Sequence, residues 1–399
     1  MLDKSLWDLM KERKMVSLNL SQIWPIIHQL LVAFSALKDM GIMYTDLKPD
    51  NVMLVNHKDC LTHYKSIWKN FSAKMSSTAS TSSEEEVIQF QKYDVLRSGT
   101  ARYLLLEFKG EGCFGQVAKC FNLQTEEMVA IKIHKHNNNK SIQNEVEMLR
   151  QLRALDTDKK NIVKFIDNFE FHGASCLAFE MLDKSLWDLM KQRKMVSLNL
   201  SQIRPIIHQL LVAFSALKDM GIMYTDLKPD NVMLVNHEDQ PFKIKLIDFG
   251  LAIPAHQAEV GMVLQARAYR SPEVYFGLPL TEAVDMWGMG CMMGFFYFGL
   301  HLFPSDCDYH WVKAILHMLG QPETPVEYEI VTGVRPKDRM AFLSLLKQCL
   351  QVDAEQRISP REALKHTYVT MAHLGNRTSS YVDTAGILMA VSPGRFGWI

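Results

Sequence analysis

The chain has 399 residues, 48% of them hydrophobic, so it can bury a sizeable core without help from metals or disulfides. Lys+Arg and Asp+Glu both number 44, a balance that argues against a dedicated nucleic-acid binder. Its seven cysteines are scattered, with no CxxC pair and no secretory leader, so reduced thiols in an intracellular compartment are the expectation.

The chain opens on a segment that returns later. Residues 1–59 match residues 181–239 at all but three positions: Glu12/Gln192, Trp24/Arg204 and Lys58/Glu238. The copies diverge at once afterwards, so this is a partial duplication and not a solenoid repeat. Both copies hold GIMYTDLKPDNVMLV, at Gly41–Val55 and Gly221–Val235. Residues 60–100 read as a linker, of low complexity around 76–86 (SSTASTSSEEE). From about residue 101 the short apolar runs YLLLEF, QVAKCFNL and MVAIKIH, broken by Gly or polar turns, predict an antiparallel sheet. Ile142, Val146, Leu149 and Leu152 then recur at helical spacing. Beyond residue 183 the pattern turns mostly helical. Ile203, Ile206, Ile207, Leu210, Leu211, Phe214 and Leu217 form one apolar stripe, with Ser201 as the expected N-cap and Lys218 with Gly221 as the stop. The run Met286–Phe303 carries no formal charge and is long enough to span a membrane. Its glycines, His301 and its place inside a folded unit favour a buried core helix. Strands first and helices later predict an α+β unit of two lobes with a cleft between them.

Four motifs carry chemistry. Gly110-Glu-Gly112-Cys-Phe-Gly115-Gln-Val117 lies between two predicted strands, where glycines let backbone N–H groups approach phosphates. Lys132, ending VAIK on the third strand, can reach α/β-phosphates and needs an anionic partner. Glu145 on the next helix is the candidate, and Glu147, on another face of that helix, is the rival. In Asp226-Leu-Lys228-Pro-Asp-Asn231, Asp226 would orient and deprotonate a substrate hydroxyl, Lys228 would neutralise a transferring phosphoryl group and Asn231 would hold Mg²⁺. Asp248, opening Asp248-Phe249-Gly250 after the strand IKLI, would be the principal metal ligand. Each tripeptide is common by chance, but the four in this order and spacing are not.

With these motifs in place the chain resembles a eukaryotic Ser/Thr protein kinase from about Tyr103 to Val369. Ser271-Pro272-Glu273, Asp285-Met-Trp287-Gly-Met-Gly290 and Arg357, the expected buried partner of Glu273, extend the match. The phrases GEGCFGQVAKC, AFEML, DLKPDNVMLV, VLQARAYRSPEV and GLPLTEAVDMW are similar to the homeodomain-interacting protein kinases, with the dual-specificity Tyr-regulated kinases as near relatives. The resemblance implies a bilobal kinase fold, with an N-lobe and hinge over 101–182, a C-lobe over 183–370 and a tail over 371–399. It implies ATP and Mg²⁺ as cofactors. Phe179 would be the gatekeeper, and Glu180–Leu182 the hinge whose backbone reads adenine. Val117 and Ala130 would cover the ring, and Asp183 would approach the ribose. The implied activity is transfer of the γ-phosphoryl group of ATP to Ser/Thr of proteins, with Pro-directed transfer an option raised by Tyr269-Arg270-Ser271-Pro272-Glu273. Transcription regulators are implied as partners, in the nucleus or cytoplasm, with no direct nucleic-acid or membrane partner.

The chain departs from the family in three places. Tyr224-Thr225 precedes Asp226 where the family has His-Arg, or His-Ala in the nearest relatives. Val263 stands where the relatives carry an autophosphorylated Tyr. Ala266 replaces the Ser or Thr whose hydroxyl bridges the catalytic Asp and Lys. The first two predict a loop not switched by Tyr phosphorylation, and the third predicts weakened catalysis. The segment from about Pro322 to Asp338 is short against the family's insert. A catalytically weak scaffold is therefore the competing reading, and a small-molecule phosphotransferase has no feature in its favour. The first copy's Asp46, Lys48 and Asn51 have no glycine loop upstream and no Asp-Phe-Gly downstream, so they read as an orphaned fragment. Its apolar stripe over Ile23–Leu37 lacks the rest of a lobe to cover it.

Overall fold

Alternation along a strand sends successive side chains to opposite faces, and this sorts the N-lobe into two cores. In the computed structural model, which describes residues 2–5, 53–55, 90–112, 115–134, 139–305, 311, 314–315, 336–374 and 380–390, six strands make one antiparallel sheet. They are β3 (Val95–Arg97), β4 (Arg102–Gly112), β5 (Gly115–Asn122), β6 (Met128–His134), β7 (Phe165–Phe171) and β8 (Ala174–Glu180), in the order β3-β4-β5-β6-β8-β7. Tyr103, Leu105, Ala118, Cys120, Val129, Ile131 and Cys176 bury themselves on one face. The other face takes helix α1 (Asn139–Leu152), whose Ile142, Val146 and Leu149 pack with Leu177 of β8. Lys132, between Ile131 and Ile133, therefore points toward α1. The sheet begins earlier than the sequence suggested: β3 lies inside the expected 60–100 linker. The turn at Ser98–Ala101, closed by Ser98 N–H to the Ala101 carbonyl at 2.9 Å, folds it back on β4.

The C-lobe is built around two helices. Helix α4 (Leu200–Asp219) carries the apolar stripe into the core; α2 (Thr157–Lys160) and α3 (Leu186–Gln192) precede it. Its N-cap is Asn199 and not Ser201. Asn199 Oδ1 accepts the Gln202 N–H at 2.9 Å, and Gln202 Oε1 accepts the Asn199 N–H at 3.2 Å, closing a capping box, while Ser201 only donates to Asn199. The stop falls where expected, with Gly221 at φ +67. The apolar run becomes helix α6 (Ala283–Phe298), following the short α5 (Pro272–Phe276). Val284 through Phe296 are all buried, as a helix apolar on every side should be. Gly299 ends it at φ +73, where a Cβ would meet the Met195 carbonyl at 2.2 Å. Among the described residues no helix is long and apolar enough to cross a membrane. Arg357 holds Glu273 with two bonds, 2.6 and 3.0 Å.

Within the expected 371–399 tail, helix α10 (Ser380–Ala390) packs on α4, after α7 (Pro336–Cys349), α8 (Pro360–Lys365) and α9 (Thr367–Thr370). Arg204 of α4 is fully buried. It pairs with Asp338 of α7, donates through Nε to the Tyr368 carbonyl at 2.8 Å and lies 4.6 Å from the Tyr368 ring centre. His373 Nε2 reaches the same Asp338 carboxylate at 2.7 Å.

Residues 1–88 form a separate unit. In it β1 (Leu2–Ser5) pairs antiparallel with β2 (Met53–Val55), with Ser5 opposite Met53. The second copy repeats that register as a Ser185–Met233 bridge, so identical sequence finds the same pairing. The first-copy triad, its helical stripe, the low-complexity stretch 76–86 and residues 321–335 lie outside the described residues.

Position 204 is one of three at which the copies differ, and it places a guanidinium in the core. Removing one partner of a buried pair strands the other charge and costs about 3–5 kcal/mol. Arg204→Ala is expected to lower unfolding free energy by that amount in urea titrations. A loss below about 1 kcal/mol, the scale of an exposed pair, would contradict it.

Candidate active site

Lys132 is the junction of the site. Its Nζ lies 2.8 and 3.1 Å from the two Glu145 oxygens and 3.1 Å from Asp248 Oδ1. One ammonium thus joins β6, α1 and the loop after β11 (Ile244–Leu246), the strand that pairs with β10 (Val232–Leu234) and follows β9 (Ile222–Met223) in the chain. Burial opposes the Lys132 charge, but Asp248 and Glu145 outweigh it and hold its pKa above the ordinary lysine value. Burial likewise opposes the Glu145 charge, and hydrogen bonding from His134 and the nearby Lys132 overcome it. Glu147, the rival, is exposed and accepts from Gln151 Nε2 at 3.3 Å. His134 was not read from the sequence. It lies two residues beyond Lys132, hence on the same strand face, and its Nε2 sits 3.4 Å from Glu145.

The loop Asp226–Asn231 converges on the Asp226 carboxylate. Lys228 Nζ donates to Asp226 Oδ2 at 2.7 Å, and Asn231 Nδ2 donates to the same oxygen at 2.7 Å and to the Asp226 carbonyl at 2.9 Å. Burial raises the Asp226 pKa, against the pull of Lys228 and Asn231. The Asn231 amide nitrogen is spent on Asp226, which leaves its carbonyl oxygen as the atom able to ligate a cation. Asp248 sits at φ +54 with its side chain 31% exposed. Phe249 beside it is buried, edge-on to Tyr224 at 5.2 Å between ring centres.

The loop is bent by an acid whose role was not read from the sequence. Asp285, at the start of α6, accepts the Tyr224 and Thr225 N–H groups at 2.8 Å each. Its complete burial pushes its pKa up to about 7, even against those two donors. Thr225 sits at φ +65, where a β-branched residue is strained by roughly 1–3 kcal/mol. Ala266 leads into the turn Arg267–Tyr269 and has no hydroxyl to offer Asp226 or Lys228.

The residues expected to line the cleft lie in register. Val117 pairs with Lys132, and Ala130 with Phe179, whose ring is 5.6 Å from Phe165. Val117 is 38% exposed, an apolar side chain open to a ligand. The last ladder pair is Val129–Glu180, so the backbone leaves the sheet at Met181 and Leu182, where adenine reading was expected. The Glu180 side chain turns elsewhere: it accepts the Lys164 N–H at 2.6 Å and Lys245 Nζ at 2.6 and 2.8 Å. Lys245, buried in β11 and also bound to Asp158 at 2.5 Å, was missed because IKLI reads as an ordinary apolar strand. The Asp183 side chain accepts the His237 N–H at 3.3 Å. Gly110 and Gly112 lie on β4. Gly115 has a structural reason of its own, since a Cβ there would fall 2.0 Å from the Ile133 carbonyl. The loop tip 113–114 lies outside the described residues.

Asp248 and Asn231 offer hard oxygen ligands, and among the described residues no cluster of three or more His, Cys, Asp or Glu could hold a metal. Two protein ligands and a cationic Lys132 fit a divalent cation that shares phosphate oxygens and keeps waters, rather than a closed protein cage. Glu145→Gln removes one of the carboxylates that outweigh the burial cost at Lys132. The Lys132 pKa is therefore expected to fall, read by NMR pH titration of the ¹⁵N-labelled lysine amine. An unchanged titration midpoint would contradict the arrangement.

The protein kinase domain family matches residues 103–369. Homeodomain-interacting protein kinase 1 of Mus musculus is 35% identical, over 72% of this chain and 29% of its own length. Homeodomain-interacting protein kinase 2 of Mesocricetus auratus is 35% identical over 74% and 31%, and homeodomain-interacting protein kinase 4 of Homo sapiens is 30% identical over 70% and 57%. The chain spans less than a third of the first two. The chain belongs to the protein kinase family, and homeodomain-interacting protein kinases are among its relatives there.

Proposed function

We propose that this chain is an ATP- and Mg²⁺-dependent protein kinase acting on Ser and Thr hydroxyls. The observation that carries the reading is the single ammonium of Lys132 shared by Glu145 and Asp248, with Asp226 held by Lys228 and Asn231. ATP supplies the phosphoryl group, and Mg²⁺ neutralises charge on it. Lys132 orients the α/β-phosphates, and Glu145 keeps Lys132 in place. Asp248 and Asn231 ligate the metal. Asp226 accepts the substrate hydroxyl proton, and its raised pKa suits that task. Lys228 faces the transferring group. Gly110, Gly112 and Gly115 bring backbone N–H groups over the phosphates. Val117, Ala130, Phe179, the backbone of Glu180 and Leu182, and Asp183 enclose the nucleoside. Proteins are the proposed substrates, with transcription regulators among them on the strength of the relatives' names, and the nucleus or cytoplasm is the proposed location.

Pro-directed transfer has a geometric basis. Gln265 sits at φ +64, and its carbonyl accepts Arg270 Nη2 at 3.0 Å and Nε at 3.3 Å. The Gln265 side chain is also spent, on the Ser271 N–H at 2.9 Å and the Val284 carbonyl at 2.8 Å. A substrate N–H just after the phosphoacceptor would find that carbonyl occupied. Proline has no N–H to satisfy. One unsatisfied N–H costs about 1–3 kcal/mol, so a Ser-Pro peptide is expected to exceed its Ser-Ala counterpart by about tenfold or more in kcat/KM. Equal values would remove the basis for Pro-direction.

Ala266 favours a second reading, a weakened kinase that serves as a scaffold. Restoring one positioning hydrogen bond, worth about 1 kcal/mol, should raise kcat of Ala266→Ser roughly fivefold in a phosphotransfer assay. No gain would show that the missing hydroxyl is not what limits the enzyme.

A further inference from the structure

The two residues that depart from the family before Asp226 both place a hydroxyl on the segment around Asp248. Tyr224 Oη donates to the Ile247 carbonyl at 2.5 Å, just before Asp248. Thr225 Oγ1 donates to the Leu251 carbonyl at 2.6 Å, just after Gly250. The two bonds bracket the tripeptide Asp248-Phe249-Gly250. Both donors are fully buried, while Leu251, the acceptor of the second bond, is 47% exposed. Their backbone is pinned in turn, since each N–H is held by one Asp285 oxygen at 2.8 Å. Inside the bracket Asp248 adopts φ +54, in the left-handed region that is uncommon for non-glycine residues although Asp enters it more readily than most.

We propose that Tyr224 and Thr225 are positioning residues whose hydroxyls clasp both flanks of Asp248–Gly250 and hold Asp248 facing Lys132 without any phosphorylation. The inference deepens the kinase reading and rests on it for its functional consequence. Thr225 carries the larger share, because its bond fixes Leu251, the first residue of the segment that runs out to Val263. Val263 is 80% exposed and has no hydroxyl to modify. The clasp is neutral, and its donors belong to the unmodified chain. The segment's anchor is therefore permanent rather than switched.

The test uses hydrogen exchange on the full unliganded chain, with Thr225→Val, Thr225→Ser and Tyr224→Phe. Val keeps the branched shape, Ser keeps the hydroxyl, and Phe keeps the ring packed on Phe249. Exchange over residues 249–254 is expected to rise about tenfold in Thr225→Val, as loss of one buried bond would allow. Tyr224→Phe should raise it to a lesser degree, and Thr225→Ser should stay at the parent rate. The central helix Ala283–Phe298 serves as the fold control. Unchanged exchange in Thr225→Val, Thr225→Ser behaving like Thr225→Val, or a rise shared equally by the central helix would each overturn the clasp. Phosphotransfer is measured on the same samples. The predicted exchange pattern in a parent chain that transfers no phosphate would leave the clasp standing and defeat the kinase reading. Normal transfer with unchanged exchange would do the reverse.

Discussion

The ion pair of Lys132 with Glu145 and Asp248 is the constraint on which the site depends. A lysine in a sheet strand would ordinarily extend to solvent, because burying an unpaired ammonium is prohibitive. Here two carboxylates from different elements make burial tolerable. The helix carrying Glu145 must then lie against the sheet, and the loop carrying Asp248 must approach from the C-lobe. His134 and Asp285 act one step further out. The first braces Glu145, and the second sets the bend in the loop that presents Asp226. Pairs of this kind add little net stability; what they secure is one geometry among several.

A second group of interactions ties the hinge to the C-lobe. Lys245 reaches from β11 to Glu180 and Asp158, so the hinge side chain is occupied behind the cleft. The Glu180 side chain is then unavailable to a ligand at the expected hinge. Backbone groups read an adenine edge without regard to side-chain identity, which suits a cofactor common to the whole family.

Much of this was legible before any coordinates. Short apolar runs broken by Gly or polar turns located β4 to β6, helical spacing located α1 and α4, and motif order singled out Lys132, Glu145, Asp226, Asn231 and Asp248. All of these signals are local. What escaped was set by tertiary partners. Lys245 and Arg204 look like ordinary strand and helix residues until Glu180 and Asp338 arrive from distant sequence. Ser201 and Asn199 are both good caps, and only the reciprocal bond with Gln202 decides between them. Gly115 was read for phosphates, yet its closest constraint is the Ile133 backbone. Thr225 was read as the loss of an arginine; its bond to Leu251 depends on a bend that no local pattern encodes. The duplicated segment makes the same point. Its strand register recurs in both copies, whereas the chemistry of the second copy depends on Lys132 and Asp248, which the first copy lacks.

On the kinase reading proposed above, the Lys132–Asp248 pairing prepares a site for a nucleotide with its metal. Calorimetric titration of the full chain with ATP, with and without Mg²⁺, beside Asp248→Asn, tests it most directly. Mg²⁺ is expected to tighten ATP binding to the parent chain by about tenfold or more, roughly 1.4 kcal/mol, and Asp248→Asn is expected to lose this increment. An ATP affinity indifferent to Mg²⁺, or an increment that survives in Asp248→Asn, would contradict it.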